Sequence, residues 1–311
     1  MPDSRNDGTA RLMQAKQDKT ETPISGFLVT VSYPAVIILG YLLYMALTAS
    51  GLHLMLATYT AVISGALFIT LHEMCLPFRN EWRPQSGEVR ADALFLVTVQ
   101  VVLPYLLSFA LVLTIARAFE QGGLTISNLW PHELPIIMQT ILMLVLADFL
   151  RYWLHRAFHR FVFMWRLHAV HHSPHRLYWL NVGRFHPLEK AVQYALDTLP
   201  FAVLAVSQEV LAIYFIFYAL NGFFQHSNCR VRLGLLNYII AGPELHRWHH
   251  SAKAEESNHN FGNNLIIWDL LFGTRFLPKD REVGHLGLLN RDFPMGFLEQ
   301  MGAPFRSDPN A

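Results

Sequence analysis

The stretch ADFLRYWLHRAFHRFVFMWRLHAVHHSP, residues 147–174, decides the fold. It begins inside an apolar run, roughly Leu134–Trp153, close to the ~20 residues a helix needs to cross a bilayer. It continues into HRAFH, with His155 and His159, and then HAVHH, with His168, His171 and His172. A third cluster, HRWHH, supplies His246, His249 and His250, while His186 and His226 stand singly between the clusters. On a helix, residues at i and i+3 or i+4 share a face, so HxxxH presents two imidazoles together. HxxHH goes further, because its adjacent pair diverges by roughly 100° and can serve two neighbouring ions. Ten such histidines beside membrane helices predict a metal site with more than one metal.

Working outward, hydrophobic residues make up 52% of the 311 and charged residues 15%, outside the soluble balance. A net charge of +1, with no large basic face visible, argues against nucleic acid, so none is expected as a partner. Cys75 and Cys229 lie far apart without a CxxC, which argues against a disulfide framework or a thiolate zinc site.

The expected fold is all-α and integral to the membrane, with about four transmembrane helices plus a short helical hairpin. A cytoplasmic helical domain holding a histidine-rich dimetal site caps them. The four spans read as roughly Phe27–Leu47, Leu52–Leu71, Ala93–Ala116 and Leu134–Trp153. The intended divisions are a disordered N-terminal tail over 1–25, transmembrane helices over 26–133, a catalytic domain over 134–280 and a C-terminal tail over 281–311. Arg5, Arg11, Lys16 and Lys19 precede the first span, and Arg79, Arg83 and Arg90 follow the second. Basic loops stay inside, so the N-terminus and the histidines are both assigned to the cytoplasm.

One apolar region constrains this topology. If residues 191–225 crossed the membrane once, HRWHH and HAVHH would lie on opposite faces. Ser207, Gln208 and Glu209 interrupt the run, so the sequence predicts a hairpin of two short helices that returns the chain to the histidine side.

Ligating imidazoles need their other nitrogen held. Asp148, two turns before His155, is the first candidate, because a carboxylate within a span is costly and defaults to a functional role. Glu189, Glu244 and Asn181 are further candidates to orient ligands or bound water. His53, His72, His132 and His285 fall outside the pattern and read as interfacial or solvent-facing. The roles of His175 and His259 stay open.

Imidazole alone does not select the metal. HExxH, the zinc-protease signature, is absent, and none of the three histidine clusters carries the Glu plus ExxH pattern of soluble di-iron bundles. A site made almost wholly of neutral imidazoles leaves a metal pair strongly cationic and suited to binding oxide, hydroxide or activated dioxygen.

At these residues the chain resembles the fatty acid hydroxylase and sterol desaturase superfamily of integral-membrane non-haem di-iron oxygenases. The stretches that carry the resemblance are ADFLRYWLHRAFH, RLHAVHHSP, RFHPLE, FQHSN, PELHRWHHS and NFGNNLIIWDLLFGTRF, in the family's order. The resemblance implies two iron ions, O₂ as cosubstrate and all ten histidines as ligands. It also implies a membrane lipid, fatty acyl or sterol-like, whose C–H bond is hydroxylated or desaturated. No HPGG haem segment and no GxGxxG is present, so electrons must come from an external reductase, ferredoxin or cytochrome. A pterin-dependent ether-lipid monooxygenase of the same superfamily is an alternative. A membrane zinc hydrolase using Glu244 as base is an alternative of another class, and a metal transporter or storage protein is a non-enzymatic one.

Overall fold

The computed structural model describes residues 23–108, 121–122 and 126–306. Most of the expected N-terminal tail, the end of the third expected span and residues 307–311 lie outside the described residues.

Helices α1 (Pro23–Ala49) and α2 (Leu54–Cys75) form the expected hairpin. Gly51 takes φ 87° in the turn, and His53 caps α2 by accepting the Met55 N–H through Nδ1. Helix α3 runs from Ser86 to Leu107 and starts earlier than the apolar run alone suggests. The cause is a capping box, in which Gln85 and Glu88 satisfy each other's backbone N–H groups. Its middle, Leu96–Val102, is wound as a π-helix. Helix α4 (Ile136–Arg160) carries the fourth apolar run onward through His155 and His159 without a break. These four helices are long and apolar enough to cross a membrane.

Beyond a break at Phe161 comes α5 (Val162–His172), which holds HAVHH. Next are α6 (Pro187–Val203) and α7 (Gln208–His226), joined by a short turn. Ser207 caps α7 by accepting the Val210 N–H, and Ala205 sits in the left-handed region at φ 55°. Lys190 Nζ lies 3.2 Å from Tyr218 Oη, so the chain doubles back after the turn as the hairpin expectation requires, with both helices packed against α4. Short helices α8 (Pro243–His249), α9 (Ile267–Phe272) and α10 (Phe297–Arg306) complete the histidine end. Among the described residues there is no strand. Isolated bridges such as Pro77 with Cys229 and Ile240 with Leu265 tie loops together there.

The packing has membrane character. Leu39, Leu42 and Leu71 point outward, each more than half exposed, while Glu189, Lys190 and Gln193 are turned inward and buried. Polar groups in such a setting are tolerated only where partners meet them. Close approach of α1, α2 and α7 depends on small residues: a Cβ at Gly40 would lie 2.7 Å from Leu220, and one at Gly65 would lie 2.2 Å from it. Helices α2 and α7 run parallel, with Tyr59 beside Phe215 and Glu73 accepting the backbone N–H of Asn228. Their C-terminal ends therefore meet at the histidines.

Candidate metal centre

Nine of the ten predicted histidines converge in two adjoining groups. His155, His159, His168, His172 and His249 form one, and His171, His226, His246 and His250 the other. Within each group one nitrogen per ring lies within 4.8 Å of all the others. Helix α4 gives two members, α5 three, α7 one, and the HRWHH turn three. The two HxxHH motifs behave as their spacing predicts. His168 and His172 face the five-histidine group while His171 faces the other. His249 is likewise split from His246 and His250.

The hydrogen bonds fix the tautomers. Nδ1 of His155 faces the Phe261 carbonyl at 2.9 Å, and Nδ1 of His168 faces Glu189 Oε1 at 2.7 Å. Nδ1 of His171 faces the Arg184 carbonyl at 3.2 Å, and Nδ1 of His249 faces the His259 carbonyl at 2.8 Å. Asn181 Oδ1 takes Nδ1 of His226 at 2.9 Å, and Asn258 Oδ1 takes Nδ1 of His159 at 3.1 Å. Each acceptor requires the proton on Nδ1, which leaves a lone pair on Nε2 pointing inward.

Those lone pairs then confront one another. Nε2 of His155 lies 3.0 Å from Nε2 of His168, and Nε2 of His226 lies 3.0 Å from that of His246. His172 and His249 meet at 3.1 Å in the same way. With both protons turned outward, the His155–His168 contact cannot be a hydrogen bond and is repulsive unless a cation sits between the rings. The spacing also fits: ligands about 2.1 Å from one ion and roughly at right angles stand about 3.0 Å apart. Burial reinforces the neutral state. Desolvation, aided by neighbouring imidazoles, holds His171, His172, His246 and His250 well below the ordinary histidine value, and burial takes His249 down to about 4. The donor set therefore fits a pair of metal ions.

Four sequence expectations need correction. His186 joins neither group, because its Nδ1 caps α6 through the Leu188 N–H and its Nε2 faces the Met301 carbonyl at 3.3 Å. Both ring nitrogens are engaged elsewhere. Asp148 touches no imidazole; its Oδ1 accepts the Asn264 N–H and pins the loop that carries Phe261. Glu244 accepts from the Leu233 N–H and from Asn237, again away from the histidines. Glu189 and Asn181 do hold ring nitrogens. His72, expected at an interface or in solvent, is buried on α2.

Sequence reasoning missed Asp269, whose carboxylate accepts the N–H groups of Phe261 and Gly262 and the Thr274 hydroxyl. It shapes the loop whose carbonyls meet His155 and His249. The only signal was its position in the WDLLFGT segment.

A cavity of about 480 Å³ leads to both groups, lined by His155 and His168 from one and His171, His226 and His246 from the other. Its remaining walls come chiefly from apolar side chains of α2, α3 and α7.

Residues 140–274 match the family model described as fatty acid hydroxylase. The chain is 35% identical over 247 residues to ornithine lipid hydroxylase OlsE of Rhizobium tropici, an overlap covering 78% of this chain and 74% of that one. It is 33% identical over 130 residues to alkylglycerol monooxygenase of Homo sapiens, 41% of this chain and 28% of the other. Very-long-chain aldehyde decarbonylase GL1-8 of Oryza sativa subsp. indica is 29% identical over 160 residues, 51% of this chain and 59% of that protein. No solved structure matches the chain.

Proposed function

The chain belongs to the fatty acid hydroxylase family and is a membrane lipid oxygenase; from that premise we propose that it is a di-iron enzyme. It hydroxylates or desaturates a C–H bond of a membrane lipid, with O₂ as cosubstrate and electrons from an external reductase, ferredoxin or cytochrome. The observation that carries this reading is the inward convergence of Nε2 lone pairs in two adjoining groups that share one apolar cavity.

His155, His159, His168, His172 and His249 would hold one iron, and His171, His226, His246 and His250 the other. When bound, the iron pair supplies O₂ activation and hydrogen abstraction from carbon. The chain's own residues do the rest. Glu189, Asn181 and the carbonyls of Phe261, Arg184 and His259 hold each Nδ1 proton, so that the rings stay in one tautomer and orientation. The imidazoles, held neutral by burial, would leave the charge of a bound metal pair uncompensated. The apolar walls exclude water and admit a hydrocarbon chain. Hydroxylation replaces C–H with C–OH, consuming O₂, two electrons and two protons and releasing one water.

We assign the histidine end and the N-terminus to the cytoplasm, as the flanking arginines favour. The catalytic unit spans 134–280, with 191–225 as its membrane hairpin. Pterin-dependent ether cleavage stays as the second reading, on the likeness to alkylglycerol monooxygenase. A zinc hydrolase loses support, because Glu244, its proposed base, is engaged away from the imidazoles.

The test is elemental analysis of purified protein with O₂ uptake measured in the presence of reductant and membrane lipid. About two irons per chain and lipid-dependent uptake are expected. Hydrolysis without O₂ would overturn the reading, and uptake that requires both a pterin and an alkyl ether lipid would favour the second.

A further inference from the structure

The cavity is polar at one end and apolar at the other. Arg151 lines it one helical turn before His155 and is joined there by Gln193, Gln225 and Asn263. Away from the histidines, α2 and α7 contribute Tyr59, Ile63, Phe215 and Ala219. Phe215 lies eleven residues before His226 on α7, about 16 Å at 1.5 Å per residue. Tyr59 stands against it, with ring centroids 5.9 Å apart. Ile63 is more than half exposed while lining the cavity, so the cavity opens at this wall, within a helix apolar enough to cross a membrane.

Arg151 is buried and donates to Asp197 at 3.3 Å and Asn263 at 3.2 Å. These contacts use two of the five guanidinium N–H groups. Its charge is already offset by Asp197. What it offers a ligand is hydrogen-bond donors without net charge, which suits a carbonyl or hydroxyl oxygen better than a carboxylate or phosphate.

Resting on the lipid-oxygenase reading, we infer that the cavity holds its lipid in one direction. An uncharged oxygen-bearing group sits against Arg151 and the hydrocarbon chain runs toward Tyr59 and Phe215. The carbons beside the histidines are then those next to the polar group, so oxidation falls at the polar end of the chain. Arg151 is a positioning residue for that choice. The step is the hydroxylation balanced above, with the external donor supplying both electrons.

The test is photo-crosslinking of the full-length protein with two long-chain acyl amide probes. One carries a diazirine next to the carbonyl and the other carries it next to the terminal methyl. The first is expected to label α4 near Arg151 and the loop at Gly262 and Asn263, and the second α2 and α7 near Tyr59 and Phe215. The reverse pattern, or the same pattern from both probes, overturns the inference. In the paired variant Arg151→Gln with Asp197→Asn, which keeps the pair neutral, the two patterns should merge, with rescue by Arg151→Lys. Unchanged patterns would remove the role of Arg151. Ile63→Trp, which enlarges a side chain on the cavity's open wall, should cut tail-end labelling several-fold, and unchanged labelling there would also count against the placement. Crosslinking needs no turnover. The expected labelling from an iron-loaded protein that fails to oxidise lipid would uphold the orientation and count against the oxygenase reading.

Discussion

Glu189 Oε1 lies 2.7 Å from His168 Nδ1 and accepts the Gln193 amide at the same distance, all within a buried pocket. One carboxylate oxygen thereby fixes a ring tautomer and is itself fixed by a residue one turn along α6. Glu189→Ala would leave both donors without a partner, and Glu189→Gln would keep an acceptor but lose its charge. Loss of such a partner costs roughly 10–100-fold in metal affinity. The expected order of iron retention against a chelator is wild type, then Glu189→Gln, then Glu189→Ala. Equal retention in all three would show that Glu189 does not orient the ring.

His186 and His249 separate two kinds of histidine that the sequence presents alike. His249→Ala removes a group member and should abolish turnover and lower the iron content. His186→Ala removes a cap from α6, which costs roughly 1 kcal/mol of stability and leaves the metal groups complete. Metal analysis of the two variants, with a thermal melt, checks this. Iron loss in His186→Ala comparable to that in His249→Ala would contradict the grouping.

The contrast shows what the sequence could tell. The spans, the hairpin at Ser207–Glu209 and the three clusters were legible, because hydropathy and helical spacing are local properties. The nine histidines that converge all belong to those clusters or lie between them. His186 misled because a histidine just before a proline-led helix is also a good cap, and its chain position does not reveal which role it takes. Asp148 sits on α4 with His155 as expected, yet its carboxylate reaches the Asn264 backbone instead. The partners at Phe261, Arg184 and His259 are backbone carbonyls, which any side chain could supply, so no residue type marked them.

Asp269 should matter to the metal without touching it. Asp269→Asn replaces one acceptor oxygen by a donor, so either the Gly262 N–H loses its acceptor or the Phe261 N–H and the Thr274 hydroxyl lose the one they share. An unsatisfied buried group of this kind costs about 1–3 kcal/mol. Since Phe261 orients His155, iron should also leave faster. A lower melting temperature together with faster chelation is the expected pair of results. Destabilisation with unaltered iron release would confine Asp269 to folding.

The hairpin offers a test of topology that is independent of chemistry. Gln208 begins α7 at the turn and His226 ends it among the histidines, about 27 Å apart at 1.5 Å per residue. That distance approaches the thickness of the hydrocarbon core, about 30 Å. A cysteine placed by Gln208→Cys, with Cys75 and Cys229 replaced by serine, should therefore react with a membrane-impermeant thiol reagent only from the side opposite to the histidines. A cysteine at exposed Lys253, beside the third cluster, should react from the other side. Labelling of both positions from the same side in sealed vesicles would mean that α6 and α7 lie along the surface. The cavity between α2 and α7 would then no longer reach into the bilayer.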